Sequence, residues 1–304
     1  MVKERVMILG SNGFTGYYIQ QFIELEQLKK NFDFLGVDSN RTIQSGISSI
    51  ILDLNDFKKL EELICSYNPH YIVNFVGTFN SRVFEELVQI NSYPIKNISE
   101  IIIRHNIGVK KIVTIGSAAE YGKPITLPVT EDSVLNPSNL YGLSKVIQSD
   151  IANYYYHNYG VPIIIARTFN IIGKNLSSNL SLGSFAQQIN AIEKNGEIAV
   201  GNIDVVRDFT SITEVVKAYW LLLMSGKGGE AYNICSGQPS TLNEILEKMI
   251  RYSGKNITIR FDDARSKNYD TSVIIGSYEK IKKEVGWSAT ATLSELALKE
   301  MVEN

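Results

Sequence analysis

From Arg5 to Ala166 the chain alternates between short, almost unbroken apolar runs and longer segments with helical character. Val6–Leu9, Phe32–Val37, Ser49–Leu52, Tyr71–Val76, Lys111–Ile115 and Pro162–Ala166 read as strands. Their nearly continuous apolar character predicts burial on both faces, which is the condition of a parallel sheet covered by helices. Between them Thr15–Leu28, Phe57–Ser66, Arg82–His105 and Asn139–Tyr159 read as helices. Strands that alternate with helices in this way predict an α/β fold built on a doubly wound parallel sheet.

Between the first strand and first helix lies Gly10-Ser11-Asn12-Gly13-Phe14-Thr15-Gly16. Glycines there permit a tight turn and let backbone N–H groups approach a pyrophosphate at the helix N-terminus. The spacing is G-x-x-G-x-x-G rather than the commonest dinucleotide fingerprint, and a plain strand–helix turn is the alternative. Asp38 follows Gly16 by 22 residues at the end of the second strand. A carboxylate at that place can take both ribose hydroxyls of NAD and repels the 2′-phosphate of NADP. Arg41 lies three residues on and offsets part of that repulsion. NAD(H) is therefore preferred over NADP(H) in this reading. Asp53 ends the third strand, where a side chain reaches an adenine or simply forms a turn.

After Asn170 the pattern changes. Residues 174–206 read as a loop with one helix, Gly183–Asn195. A strand and helix follow over Val206–Met224, then a strand at Ala231–Ile234. Thr241–Tyr252 reads as a helix with Thr241 as N-cap and Glu244 three residues on, the pattern of a capping box. Ile257–Phe261 reads as a strand and Tyr278–Val285 as the final helix. The expected division is a dinucleotide-binding domain of residues 1–173 plus 206–234, and a smaller C-terminal α/β lobe of 174–205 plus 235–304 that holds the substrate.

The 304 residues carry 30 Lys and Arg against 32 Asp and Glu, a net charge of −2, so no basic surface for nucleic acid or an anionic membrane is expected. Cys65 and Cys235 form no disulfide framework or metal-ligand spacing, and His70, His105 and His157 do not cluster; no metal is expected. Low cysteine usage, an N-terminus without a signal-like segment and the absence of a long apolar stretch lead to the expectation of a soluble cytoplasmic protein.

The chemistry-bearing run is Leu140-Tyr141-Gly142-Leu143-Ser144-Lys145, 24 residues beyond Ser117 at a strand end. A phenol four residues before an ammonium shares one helix face with it, an arrangement suited to a proton donor. Tyr278 and Lys282 repeat the spacing in a charged segment and are read as surface residues.

Taken in order and spacing, the glycine loop, Asp38, Ser117 within Gly116-Ser-Ala-Ala-Glu-Tyr-Gly122, and Tyr141 with Lys145 resemble the extended short-chain dehydrogenases/reductases. These are the nucleotide-sugar epimerases, dehydratases and reductases, built on a Rossmann domain. Thr130-Glu-Asp132, Asn136-Pro137-Ser-Asn-Leu-Tyr141, Ala166-Arg-Thr-Phe-Asn170 and Gly201-Asn-Ile-Asp-Val-Val-Arg-Asp-Phe209 fit the same family. The last two most resemble members that reduce GDP-4-keto-6-deoxy-D-mannose.

The resemblance implies catalytic roles for Ser117, Tyr141 and Lys145: Tyr141 the acid or base at the sugar oxygen, Ser117 a hydrogen-bond donor to it, Lys145 the holder of the nicotinamide ribose. It also implies that Lys145 lowers the phenol pKa; moving it from near 10 to about 7 needs roughly 4 kcal/mol, to be supplied by the ammonium together with the cofactor's positive ring. Cofactor contacts are implied for Gly10, Asn12, Gly13, Phe14, Gly16, Asp38, Arg41, Asp53 and Leu54, together with Tyr141 and Lys145. Asn170, Arg207 and Arg265 would contact the nucleotide diphosphate of the substrate, although the family's usual proline and further arginine are missing around Arg265. Asn91 would support the backbone and water of the site. Related proteins dimerise through the Arg82–His105 and Asn139–Tyr159 helices, so a homodimer is implied.

Ala118 and Ala119 narrow the chemistry. In related 4,6-dehydratases these two positions carry an acid and a carboxylate, and in epimerase-reductases the second is a cysteine; methyl groups can do neither task. Glu120 is read as structural. NAD(P)H-dependent reduction of the C4 keto group of a nucleotide-linked 4-keto-6-deoxy sugar is the expectation. A nucleotide-sugar 4-epimerase with retained NAD, and a cofactor-binding regulator without catalysis, are the alternatives.

Overall fold

The computed structural model describes residues 3–40, 46–265 and 273–303. Arg41 lies outside the described residues, so its expected cofactor role stays an expectation. In chain order the first half comprises β1 (Glu4–Leu9), α1 (Phe14–Leu25), β2 (Phe32–Asp38), β3 (Ser48–Ile51), α2 (Phe57–Tyr67), β4 (Tyr71–Asn74), α3 (Phe84–Asn91), α4 (Tyr93–His105), β5 (Lys111–Ser117), α5 (Leu140–Tyr159) and β6 (Ile163–Thr168). The second half comprises β7 (Asn170–Ile172), α6 (Ser181–Ala191), β8 (Asn195–Val200), β9 (Val206–Ser211), α7 (Ile212–Ser225), β10 (Ala231–Ile234), β11 (Pro239–Thr241), α8 (Leu242–Ser253), β12 (Asn256–Phe261), β13 (Val273–Ile274), α9 (Glu279–Val285) and α10 (Ala291–Val302).

The main sheet runs β3-β2-β1-β4-β5-β6-β10, with every neighbouring pair parallel. The strand order reverses between β1 and β4, which opens a crevice at the carboxyl ends of the strands. Side chains alternate across the sheet. Val6 and Ile8 pack on one face with Ile19 and Ile23 of α1 and Val215, Tyr219 and Leu222 of α7. Met7 and Leu9 pack on the other with Leu60 and Ile64 of α2, Ile98 and Ile101 of α4, and Tyr155 of α5. This is a Rossmann-like doubly wound sheet.

Several elements differ from the sequence expectation. The segment Arg82–His105 is two helices, because Ser92 breaks the run ahead of Pro94 in the first turn of α4. The Ser92 hydroxyl donates to the Ser144 carbonyl at 2.8 Å, tying that break to α5. The helix at residues 181–191 stops at Ile192, which is extended, and the chain then forms β8 parallel to β12. A further helix, α10, follows α9, and β7, β9, β11 and β13 form a small second sheet.

A separate core gathers Phe185 and Ile189 of α6, Leu246 and Met249 of α8, and Leu298 and Met301 of α10. The C-terminal lobe assigned to 235–304 is less uniform than expected. Ile281 and Trp287 are buried in the core of the main sheet, and the Trp287 indole donates to the Glu214 carbonyl at 3.0 Å. Tyr278 is likewise packed against that core, so it is half-buried and not a surface residue as expected; Lys282 stands over its ring at 5.7 Å.

Candidate active site

The glycine loop closes against the sheet through geometry that side chains would block. Gly10 has φ +76°, and a Cβ there would lie 3.1 Å from the backbone of Phe75 and Val76. A Cβ on Gly16 would stand 2.4 Å from the carbonyl oxygens of Gly10 and Ser11. These glycines let the first turn of α1 sit directly on the loop, and Gly13 caps α1 without a side-chain hydrogen bond. The unpaired first-turn N–H groups and the helix dipole make that end a site for an anion. A cavity of about 530 Å³ opens over it, lined by Gly10, Gly13, Phe14 and Gly16 at one end and by Ser117 and Tyr141 further along. The cradle therefore fits the pyrophosphate of a dinucleotide cofactor.

Asp38 and Asn12 brace this loop from behind. The Asp38 carboxylate accepts from the backbone N–H of Asn12 at 2.9 Å and of Asn40 at 3.2 Å. The Asn12 amide donates to the Asn40 carbonyl at 2.6 Å. Asp53 accepts from the Asn55 N–H at 2.9 Å, the arrangement of a turn-forming aspartate. Leu54 is buried and its carbonyl accepts from Asn97 at 3.1 Å. Neither Asp53 nor Leu54 borders the cavity.

Ser117 ends β5 and caps the short turn Ala118–Glu120. Its hydroxyl oxygen accepts from the Ala119 N–H at 3.1 Å, which leaves the hydroxyl hydrogen free to point elsewhere. Tyr141 lies in the first turn of α5, whose N-cap Asn139 accepts from the Gly142 N–H at 2.8 Å. The Phe79 ring meets the Tyr141 ring edge-on at 6.4 Å. The phenol pKa is pushed up, first by burial; the Ser117 hydroxyl pulls it down and the Glu120 carboxylate adds to the rise.

Lys145 is not among the groups that shift the phenol in the protein alone, and the implied lowering also calls on the cofactor's positive ring. The ammonium is engaged elsewhere: it donates to the Ile115 carbonyl at 2.9 Å and to Gln148 Oε1 at 2.8 Å. Burial pushes Lys145 itself down to about 8, while Glu120 opposes the fall. Gln148 is held in turn, donating to Thr114 Oγ1 at 2.5 Å and to the Ile115 carbonyl at 3.2 Å. Gly77 borders the ammonium closely; a Cβ there would sit 3.2 Å from Lys145 Nζ and 3.3 Å from Asn91 Oδ1.

Asn91 is fully buried, not a helix-surface residue. Its side chain clasps the backbone of Thr78, accepting from the N–H at 2.7 Å and donating to the carbonyl at 2.9 Å, and also donates to Ser144 Oγ at 2.8 Å. The loop after β4 is thereby tied to α5. Gly77, Phe79 and Gln148 were not singled out from the sequence. Gln148 carried a usable signal, since it follows Lys145 by three residues and shares its helix face; Phe79 lies in a loop whose path depends on Asn91.

At the far end of the cavity stand Asn170 on β7 and Arg207 on β9. The Asn170 amide donates to the Asp208 carbonyl at 3.2 Å, and Arg207 Nη1 to the Val206 carbonyl at 2.8 Å. Arg265 is not in this cavity. It borders a second one of about 250 Å³ with Asn179, Ser184, Phe185 and Asn202. The two share Leu180, Ser181 and Leu242 as a common wall, so together they form an elongated trough. Arg265 is half exposed and pairs with Asp262 at 3.6 Å.

A family model described as GDP-mannose 4,6 dehydratase matches residues 7–301. The chain belongs to that family. It is an enzyme of the extended short-chain dehydrogenase/reductase type with an NAD(P)-binding Rossmann domain. Among its relatives, the GDP-6-deoxy-D-mannose reductase of Pseudomonas aeruginosa is 24% identical over 97% of this chain and 95% of its own. The GDP-6-deoxy-D-talose 4-dehydrogenase of Aggregatibacter actinomycetemcomitans is 23% identical over 99% of this chain and 97% of its own. The solved structure of RMD from Pseudomonas aeruginosa complexed with NADPH superposes with a TM-score of 0.83 at 23% identity, covering 99% of this chain and 98% of that one. No described helix is long and apolar enough to cross a membrane.

Proposed function

We propose that the protein reduces the C4 keto group of a nucleotide-linked 4-keto-6-deoxy sugar, taking GDP-4-keto-6-deoxy-D-mannose to GDP-D-rhamnose in deoxysugar biosynthesis. The observation that carries this reading is the set of groups around one cavity. Ser117 and Tyr141 line it above the glycine loop, whereas residues 118 and 119 are alanines, carry no acid–base group and do not border it. Dehydration or epimerisation at carbon needs an acid–base group beside the catalytic hydroxyl. Glu120, the nearest carboxylate in sequence, has both oxygens occupied by other partners.

Bound NAD(P)H supplies the hydride. As negative charge develops on the sugar O4, Tyr141 gives up its phenolic proton to that oxygen, and Ser117 donates a hydrogen bond to it. Reduction consumes one proton, and a phenol kept protonated by burial suits a donor better than a base. Lys145 has a third N–H beyond the two already engaged, which can hold a ribose hydroxyl. Arg207 and Asn170 would take the substrate diphosphate, a task suited to a guanidinium fork. Arg265 would act at the nucleotide side.

NAD(H) is slightly preferred in this account, because Asp38 at the end of β2, fixed by two backbone N–H groups, would repel a 2′-phosphate brought to it. A homodimer through α4 and α5 would cover the exposed Tyr93 and Ile103 on α4 and Tyr154 and Tyr159 on α5, and a cytoplasmic location belongs to the same reading. Incubation with GDP-4-keto-6-deoxy-D-mannose and NADH or NADPH, with NMR of the product, tests the reading. Cofactor oxidation with formation of a GDP-6-deoxyhexose supports it. Interconversion of C4 epimers without net cofactor consumption would replace it with an epimerase.

A further inference from the structure

Glu120 is a carboxylate fully removed from solvent directly beside the catalytic hydroxyl, and the proposed reaction gives it no task. Its Oε1 accepts from the backbone N–H of Ser117 at 2.7 Å. Its Oε2 accepts from the Ser149 hydroxyl at 2.7 Å and from Arg167 Nε at 3.0 Å. Gly116 makes the room, since a Cβ there would fall 2.6 Å from Glu120 Oε1. Arg167 is held by further contacts: its Nη1 donates to the Tyr121 hydroxyl and the Glu131 carbonyl, each at 3.2 Å, and its guanidinium stands 5.2 Å from the Tyr121 ring centre.

Stability alone explains this poorly. A buried ion pair gains little over a well-packed apolar pair, whereas this one is aimed at the amide of the residue that must orient the substrate oxygen. We propose that Glu120 is a positioning residue of the reaction centre: through the Ser117 amide it fixes the catalytic hydroxyl, and through Ser149, one turn beyond Lys145, it sets its carboxylate against the face of α5 that carries Tyr141 and Lys145.

The groups facing it are Arg167 from β6, Ser149, Tyr141 and Lys145 from α5, and Tyr121 from its own turn, with Glu131 behind Arg167. Its charge favours the protonated form of both catalytic groups, pushing the phenol and the ammonium in the same upward direction. The charge thus keeps Tyr141 a proton donor and opposes the loss of charge that burial imposes on Lys145.

The inference rests on Ser117, Tyr141 and Lys145 forming the reaction centre, and the cofactor titration in its test does not depend on the sugar. NADH or NADPH affinity is measured by fluorescence between pH 6 and 10 for wild type, Glu120→Gln, Glu120→Asp and the double variant Glu120→Gln/Arg167→Met, alongside melting temperature and turnover. The ammonium of Lys145 holds the cofactor below its pKa, so affinity falls as pH rises through that value. Loss of the Glu120 charge should move this fall to lower pH by about half a unit or more. The double variant removes a negative and a positive charge together, so its midpoint should lie between those of Glu120→Gln and wild type. Glu120→Asp keeps the charge but is one methylene too short for the Ser117 amide. Its turnover should drop about tenfold or more with the pH of half-affinity unmoved.

An unmoved midpoint in Glu120→Gln would overturn the electrostatic role. Full turnover in Glu120→Asp would overturn the positioning role. A wild-type protein that binds cofactor but reduces no nucleotide sugar would sink the reductase reading, while the affinity titration would still decide the role of the Glu120 charge.

Discussion

The two ends of the trough are built on different terms. At the chemical end, Lys145, Gln148, Asn91, Ser144 and Glu120 are all buried, and each has at least one hydrogen-bond partner in another element or turn. At the proposed recognition end, half-buried Arg207 sits on a six-residue strand, and Arg265, half exposed, on a three-residue turn. Buried polar groups must be satisfied, so the first arrangement has few alternatives. Exposed charges are screened by water and can adapt. Under the proposed function, the contrast would give protonation and geometry to the scaffold and leave substrate choice to short strands and loops.

The largest effect should come from Tyr141→Phe, which removes the proton donor and little else. Turnover should fall by about 10²–10⁴, with cofactor affinity near that of wild type. A variant retaining more than about a tenth of the rate would break the contrast at its strongest point. Lys145→Ala should follow, and should damage both turnover and cofactor affinity. In the wild type, affinity should decline as pH rises through about 8, where the buried ammonium loses its proton. Cofactor titration of the variant, with the wild type titrated across pH, checks both statements; unchanged affinity in the variant would remove the ribose role.

Arg207→Ala should act mainly on substrate binding. A lost charged hydrogen bond of about 1.5–3 kcal/mol corresponds to roughly a tenfold to hundredfold rise in KM. A drop confined to kcat would instead place Arg207 in the chemistry. Arg265→Ala should be the mildest, raising KM by less than about fivefold, because its charge is half exposed. A larger effect would mean that the recognition end is as tightly specified as the chemical end.

The sequence exposed the chemical end well because its information is local. A strand end fixes Ser117 and one helix turn joins Tyr141 to Lys145; away from that end, Thr241 with Glu244 likewise forms the capping box that their spacing implies. The capping bonds are present at 3.0 and 2.8 Å. The recognition end was less legible because its strands are made by distant partners. β7, β11 and β13 have two or three residues each and acquire their structure from pairing with β9. Residues 192–200 were read partly as helix, yet Gly196 must lie against Ile192, where a Cβ would approach its side chain to 2.9 Å. The break at Ser92 was hidden because α3 and α4 each keep a helical pattern on either side of it. The upward push on the Tyr141 pKa was equally hidden, since Tyr–Lys spacing gives no sign that Gln148 and the Ile115 carbonyl hold the ammonium.

The central claim is hydride chemistry at C4 with no proton transfer at neighbouring carbons. It is tested most directly by reducing GDP-4-keto-6-deoxy-D-mannose in D₂O with unlabelled NAD(P)H, and in H₂O with cofactor deuterated on the transferring face, followed by NMR of the sugar. The account predicts one deuterium at C4 from the labelled cofactor, and no enzyme-dependent solvent deuterium at C3 or C5. Solvent deuterium at C3 or C5 above the enzyme-free background would reveal an acid–base group that Ala118 and Ala119 cannot supply, and would contradict the reductase account.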